Sequence, residues 1–235
     1  MNLKTQMLAV LALGLCISAE AQKVVDVNNN ECVTASMYNS VGGVPYINTK
    51  FTRLVEGSPF FSEKWQNGKI TMSNGTVYEN IPLRLDLYNN ELQYKDSNDQ
   101  EMITTGPVKE VLIDNNTGRH LFVRLPYALN DQTHKPHWYE LVFDGKFTLY
   151  KDYRKDLVES KPYGSATYEQ QIKTTELFYM VSNDRILELR KPKDYLTYDN
   201  KYAKELSGYI GSLDSRLTLT QKMVQTAGYL NGQLK

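Results

Sequence analysis

The feature that most constrains this chain is a succession of short segments in which apolar and polar residues alternate, each joined to the next by a turn too short to hold a helix. Leu83, Leu85 and Leu87 alternate with Arg84, Asp86 and Tyr88, which sets three leucines on one face of a strand and the polar residues on the other. Asn89-Asn90 follows, a pair that tolerates the positive φ of a tight turn, and residues 91–95 read as the returning strand. Asn74-Gly75 separates 69–73 from 76–78, and Asn-Gly between such runs is the strongest short-range hairpin signal. Residues 109–114 and 120–125 flank turn material at 115–118. Likewise 138–143 and 146–150 flank Asp144-Gly145, and 176–181 and 186–190 flank 182–184.

Strands joined this tightly pair antiparallel, because parallel neighbours need a crossover of about a dozen residues or more. No amphipathic helix stands between them, which argues against a doubly wound α/β fold. The pattern predicts a mainly β protein, an antiparallel meander, sandwich or roll of about 9–12 strands over residues 51–191, with short C-terminal α-helices. The helices are read from a change of period. Tyr202, Leu206, Tyr209 and Ile210 recur at helical spacing after Asp199 or Asn200, with Gly211 as a stop. Met223, Val224, Ala227, Leu230 and Leu234 form a second stripe after Thr218 or Thr220. Residues 192–235 therefore form a short helical region, either a small separate unit or a cover for the sheet. Residues 22–50, rich in Asn, Ser, Gly and Val, are expected to be partly ordered.

Residues 1–21 read as an export signal: Lys4, then an apolar run over 7–17, then Ala19-Glu20-Ala21 in the small-x-small pattern that precedes cleavage. The expected cut lies between Ala21 and Gln22. The run is far shorter than the ~20 residues of a membrane-spanning helix, so no transmembrane anchor is expected in the mature chain, and Leu15 before Cys16 disfavours lipidation. Cleavage leaves Cys32 as the single cysteine, unable to close an internal disulfide and either buried or paired with another chain, and it reads as a small residue of an N-terminal strand or loop rather than a nucleophile. Export implies a periplasmic, outer-envelope or secreted location.

The 27 basic and 27 acidic side chains cancel, which argues against nucleic acid as a partner. The most charged stretch, 151–161, mixes both signs. Seventeen tyrosines all fall after the signal; tyrosine suits half-exposed strands and also glycan-binding surfaces, because one ring carries apolar area and a hydroxyl.

Few residues suggest chemistry. His134 and His137 approach each other in sequence and are the nearest thing to a metal pair, but Pro136 breaks helical spacing and no third ligand adjoins them. His120 begins a strand and reads as a surface or satisfied residue rather than a catalytic base. Asp96, Asp99 and Glu101 surround Ser97 and Asn98 without the spacing of a calcium loop. No Gly-x-Ser-x-Gly elbow occurs. Asn74-Gly75-Thr76 and Asn115-Asn116-Thr117 are formal glycosylation acceptors whose asparagines the turns already explain. Trp65, Trp138 and Tyr139 are the candidate binding platforms; no catalytic residue and no cofactor is nominated.

The stretch Val55-Glu56-Gly57-Ser58-Pro59-Phe60-Phe61, with Trp65, Gly68, Asn74-Gly75 and the run Leu83-Arg84-Leu85-Asp86-Leu87-Tyr88-Asn89-Asn90-Glu91-Leu92, resembles a set of uncharacterised exported β-rich proteins of Bacteroidota-type bacteria. The resemblance implies an envelope or secreted location and carries no activity. Three readings stand: an exported non-catalytic β-rich protein that binds or assembles with a protein or glycan partner, a glycan-binding module using exposed aromatics, and a hydrolase whose carboxylate pair forms only in the fold.

Overall fold

Asn74-Gly75 makes the turn its sequence demands. Gly75 sits at φ 84 and the Thr76 N–H donates to Asn74 Oδ1 at 3.0 Å, so the asparagine supplies the turn's acceptor and the glycine its left-handed backbone. Asn90, at φ 57, does the same in the next hairpin. The computed structural model describes residues 24–26, 40–47, 51, 53–125, 137–164, 166–182, 185–198 and 200–233. Ala21 and Gln22 of the expected cleavage site, Cys16 and Cys32, and His134, Asp199 and Leu234 lie outside these residues.

The described strands are β1 (Val24–Asp26), β2 (Val44–Pro45), β3 (Leu54–Glu56), β4 (Gln66–Met72), β5 (Val77–Asp86), β6 (Glu91–Lys95) and β7 (Glu101–Ile103), then β8 (Val108–Asn115), β9 (Gly118–Leu125), β10 (His137–Phe143), β11 (Thr148–Ser160), β12 (Glu169–Ser182) and β13 (Arg185–Leu189). They form one open sheet in the order β13-β12-β11-β10-β9-β8-β4-β5-β6-β7-β2. The protein is thus mainly β, an antiparallel meander with short C-terminal helices. Two pairings are parallel: β1 with β5, and β3 with β12. The meander also folds back once, because β8 pairs with β4 rather than with β7.

Sequence underestimates the length of the β11–β12 hairpin. These strands stay in register over 13 residue pairs, from Thr148↔Val181 to Ser160↔Glu169, while alternation marks only 146–150 and 176–181. Residues 151–161 carry charges on both faces, so the period-two signal vanishes where the strand continues. The far half of this hairpin forms an arm with exposed side chains. Register places Leu149, Lys151, Tyr153, Lys155, Leu157 and Glu159 of β11 on one face, opposite Met180, Phe178, Glu176, Thr174, Ile172 and Gln170 of β12.

The sheet curls toward that face. Between β5 and β12 lie six strand-to-strand steps, about 29 Å on a flat sheet. Yet Leu54 pairs with Gln170 of β12 and Phe60 bridges Asp86 of β5, and six residues reach at most roughly 22 Å. The segment 54–60 is therefore a strap across a concave face. Gly57 is fixed there by geometry: at φ 79, a Cβ would lie 2.0 Å from the Ile172 carbonyl oxygen. Trp138 N–H donates to Asn90 Oδ1 at 3.4 Å from β10 to the β5–β6 turn, which the same curvature brings together.

Inside the curl, Ile70, Leu83, Val111, Phe122 and Trp138 belong to one apolar cluster. A second joins Leu149, Phe178 and Met180 to the C-terminal region. That region opens with a 3-10 helix, Pro192–Thr197, which the sequence does not announce; Tyr195 from it donates to the Met223 carbonyl at 3.0 Å. Helices α1 (Ala203–Ser212) and α2 (Leu219–Gln233) follow. Thr218 and Gln221 cap α2 reciprocally, side chain to backbone at 3.2 and 2.9 Å. Leu206, Met223, Ala227 and Leu230 point into the sheet, so residues 192–233 share a core with it. No described helix is long and apolar enough to cross a membrane.

Candidate functional site

Three places bring polar chemistry together, and they differ in what they leave available. The first is a seam on the concave face. Glu140 of β10 is buried and accepts from His120 Nδ1 at 2.6 Å and from the Tyr153 hydroxyl at 2.5 Å. His120 Nε2 lies 2.9 Å from Thr117 Oγ1. Phe61, just beyond the strap, packs its ring edge on His120, Phe122 and Tyr153 with centroids 4.8–5.4 Å apart. Burial together with the Glu140 charge pushes the Tyr153 phenol far above its ordinary range. Beside it, buried Lys151 donates to Glu176 at 2.8 Å and to Thr220 of α2 at 3.0 Å, and lies over the Tyr153 ring at 4.4 Å.

A carboxylate, an imidazole and a hydroxyl in line have the connectivity of a nucleophilic relay, and proton bookkeeping decides against it. Thr117 Oγ1 lies 2.5 Å from Asn115 Oδ1, which accepts only, and the same oxygen takes the Thr117 backbone N–H at 2.8 Å. The hydroxyl proton is committed to Asn115. With its proton directed at Asn115, the Thr117 hydroxyl does not make to His120 Nε2 the bond that a nucleophile must share with its general base. The seam is a closed polar network that ties β9, β10, β11, β12 and α2 together.

The second place is a shallow groove of about 180 Å³ over β4, β5 and β8, where Glu79 and Asp114 are the carboxylates. Each faces a cation: Glu79 pairs with Lys69 at 3.5 Å and Asp114 with Arg119 at 3.2 Å. All four side chains are well exposed. Nothing there separates an acid from a base, the division of labour that glycoside hydrolysis requires.

The third is a cleft of about 460 Å³ at the tip of the arm, lined by Arg53, Glu159, Thr167, Tyr168 and Gln170. Gln170, almost fully buried, donates from Nε2 to Glu159 Oε1 at 2.9 Å, and its backbone N–H donates to the Arg53 carbonyl at 2.9 Å. Arg53 donates to Thr167 Oγ1 at 2.6 Å and pairs with Glu169 at 3.2 Å. These two bonds use two of the five guanidinium donors. Tyr168 is 59 % exposed and Lys161 Nζ lies 5.6 Å from its ring centroid. Of the two surface places, this is the one with an exposed aromatic ring in its lining.

The sequence candidates fall elsewhere. Trp138 and Tyr139 are 1 % and 0 % exposed, so neither offers a ring face to a ligand. Trp138 packs in the inner cluster, and Tyr139 meets Tyr179 edge to face at 5.9 Å in a third cluster on the opposite side of the sheet. Trp65 is half-buried and holds Arg84 at 4.4 Å and Lys95 at 5.5 Å, a packing staple in which Arg84 also bonds Gln93 and Glu101, each at 2.9 Å. His137 bonds Asp152 at 3.1 Å; among the described residues no group of three potential metal ligands converges. Asp96 accepts from the Asn98 and Gln100 amides of its own turn at 2.8 Å, and Asp99 pairs with Lys95 at 2.7 Å, so the acidic cluster is turn chemistry.

Neither the seam nor the tip cleft is named by the sequence. Thr167 and Tyr168 could have been noticed as aromatic-polar residues beside a Pro-Tyr-Gly turn, but Arg53 lies 114 positions from Thr167, and only the strap joins them. Comparison with protein families, with characterised proteins and with solved structures finds no match for this chain.

Proposed function

We propose that this chain is an exported, non-catalytic β-rich protein of the envelope or secreted space that works by binding a partner, with the β11–β12 arm as its contact. The observation that carries this reading is the contrast between a seam in which Glu140, His120, Tyr153 and Lys151 bond one another or their neighbours and an arm whose tip exposes aromatic and apolar side chains. Tyr163 is fully exposed at the bend, and Tyr168, Val158 and Val55 are exposed nearby. The 13 residue pairs of the β11–β12 hairpin, of which the arm is the far half, make it a stiff presenter of those side chains, the pre-organisation that lowers the entropic cost of binding. Export is supported by the signal pattern at residues 1–21 and the expected cut before Gln22.

Two measurements test the two halves of this reading. Mass spectrometry of protein recovered from fractionated cells should give an N-terminus at Gln22 in a non-cytoplasmic fraction; an intact N-terminus in the cytosol would end the export half. For the binding half, a photo-crosslinking residue at Tyr163 should yield a discrete adduct in living cells, and the same residue at Lys69, on the sheet's outer groove, should not. Equal labelling from both positions would remove the arm's special role.

A further inference from the structure

Resting on the binding reading above, the cleft at the arm's tip also restricts what the ligand can be, and we infer that it takes a neutral saccharide. Charge is the first filter. Arg53 is already paired with Glu169, and Glu159 contributes a second carboxylate to the same walls. The carboxylates Glu159 and Glu169 are matched in number by Arg53 and Lys161, so these four side chains carry no net charge that would favour an anionic or a cationic ligand.

Hydrogen bonding is the second filter. Glu159 Oε1 accepts from Gln170, which leaves Oε2 as an acceptor directed by a held side chain. Arg53 keeps donors beyond those given to Thr167 and Glu169. A ligand that satisfies both must donate to one wall and accept from the other. Hydroxyl groups do both from a single atom type, and vicinal hydroxyls do so at neighbouring positions.

Shape is the third. Tyr168 presents its ring to the cleft with Lys161 able to cover one face at most. A free aromatic face is matched by a flat apolar face, and a pyranose ring offers C–H bonds on one face with hydroxyls around its rim. The volume, about 460 Å³, lies within the range of small-molecule clefts, roughly 300–1,000 Å³. Gln170 is the anchor of the arrangement: almost fully buried, it fixes Glu159 with its side chain and Arg53 with its backbone.

The test uses the whole exported chain against a panel of immobilised glycans, neutral and acidic, followed by calorimetry with maltotriose, cellotriose, chitotriose and mannotriose. At least one neutral oligosaccharide should bind. Tyr168→Ala and Glu159→Gln should each weaken it by about tenfold or more, while Tyr168→Phe, which keeps the ring, stays within about threefold. Thermal melts of the variants should overlay the parent, since these residues lie at the surface. The inference falls if no neutral glycan binds, if Tyr168→Ala binds as well as the parent, or if only sulfated or phosphorylated glycans respond. Binding to an extended peptide in place of sugar would overturn it too. Because export and crosslinking from Tyr163 are read without any sugar, those results can stand while this one fails.

Discussion

The concave seam and the arm's tip cleft are built from the same kinds of residue: a tyrosine, a glutamate and a basic side chain. In the seam, Glu140 takes both Tyr153 and His120, and Phe61 closes over them. In the cleft, Glu159 takes one amide and Tyr168 stands in solvent. The difference teaches that composition does not make a site. Burial favours polar groups that bond protein partners, as Glu140 does twice, whereas Tyr168 at the tip is exposed and under no such demand.

The comparison breaks most readily at Glu140. Glu140→Ala strands the Tyr153 hydroxyl and His120 Nδ1 beneath Phe61, and the expected loss is about 3–5 kcal/mol in urea unfolding, as for other buried pairs deprived of one member. A loss under about 1 kcal/mol would mean that water reaches the seam and that the contrast is illusory. Gly57→Ala comes next. The added methyl meets the Ile172 carbonyl at a positive φ, and a cost of roughly 2–3 kcal/mol is expected, with proteolysis of the arm accelerated because the strap no longer lies on β12.

Tyr153→Phe sharpens the contrast with a smaller effect, about 1 kcal/mol at neutral pH for the lost hydrogen bond. Its pH signature is more telling. The folded protein holds the Tyr153 proton well above the ordinary value of 10.0, so the unfolded chain ionises first and stability falls as pH rises through and beyond 10. Tyr153→Phe should flatten that alkaline decline; an unchanged decline would show that Tyr153 is not desolvated. Smallest of all, Tyr168→Ala should leave unfolding within about 0.5 kcal/mol of the parent. A larger loss would mark Tyr168 as a packing residue and undercut its part in the cleft.

Much of the sheet was legible because hairpins are local. Asn74-Gly75 and Asn89-Asn90 each announce a turn and Asp144-Gly145 marks a longer 144–147 connection without positive φ, while Leu83 and Leu85 give one buried face of β5, although Asp86 on the other face is buried too. The second helix was legible from Met223, Ala227 and Leu230 and from the Thr218 cap. What stayed hidden is non-local. The arm escaped notice because Lys151, Asp152, Arg154, Lys155 and Asp156 erase the alternation that would have extended β11, although 13 backbone pairs hold it. Curling is a property of the whole sheet, so nothing at 54–60 reveals that those residues bridge β12 and β5. Trp138 and Tyr139 suggest platforms by their chemistry alone; period two says that neighbours face opposite sides, and here both sides are covered.

The strap has a bearing on how the chain acquires its shape. Arg53 must wait for Thr167, Glu169 and Gln170, more than a hundred positions later, before its bonds can form. Contacts so distant along the polymer are slow to close, and their entropy is lost before any reward arrives. In a chain synthesised from its N-terminus, the early hairpins can zip independently, but the curl is locked and the tip cleft assembled only once β12 has emerged. The cleft at the arm's tip is thus the last feature of this fold to be assembled.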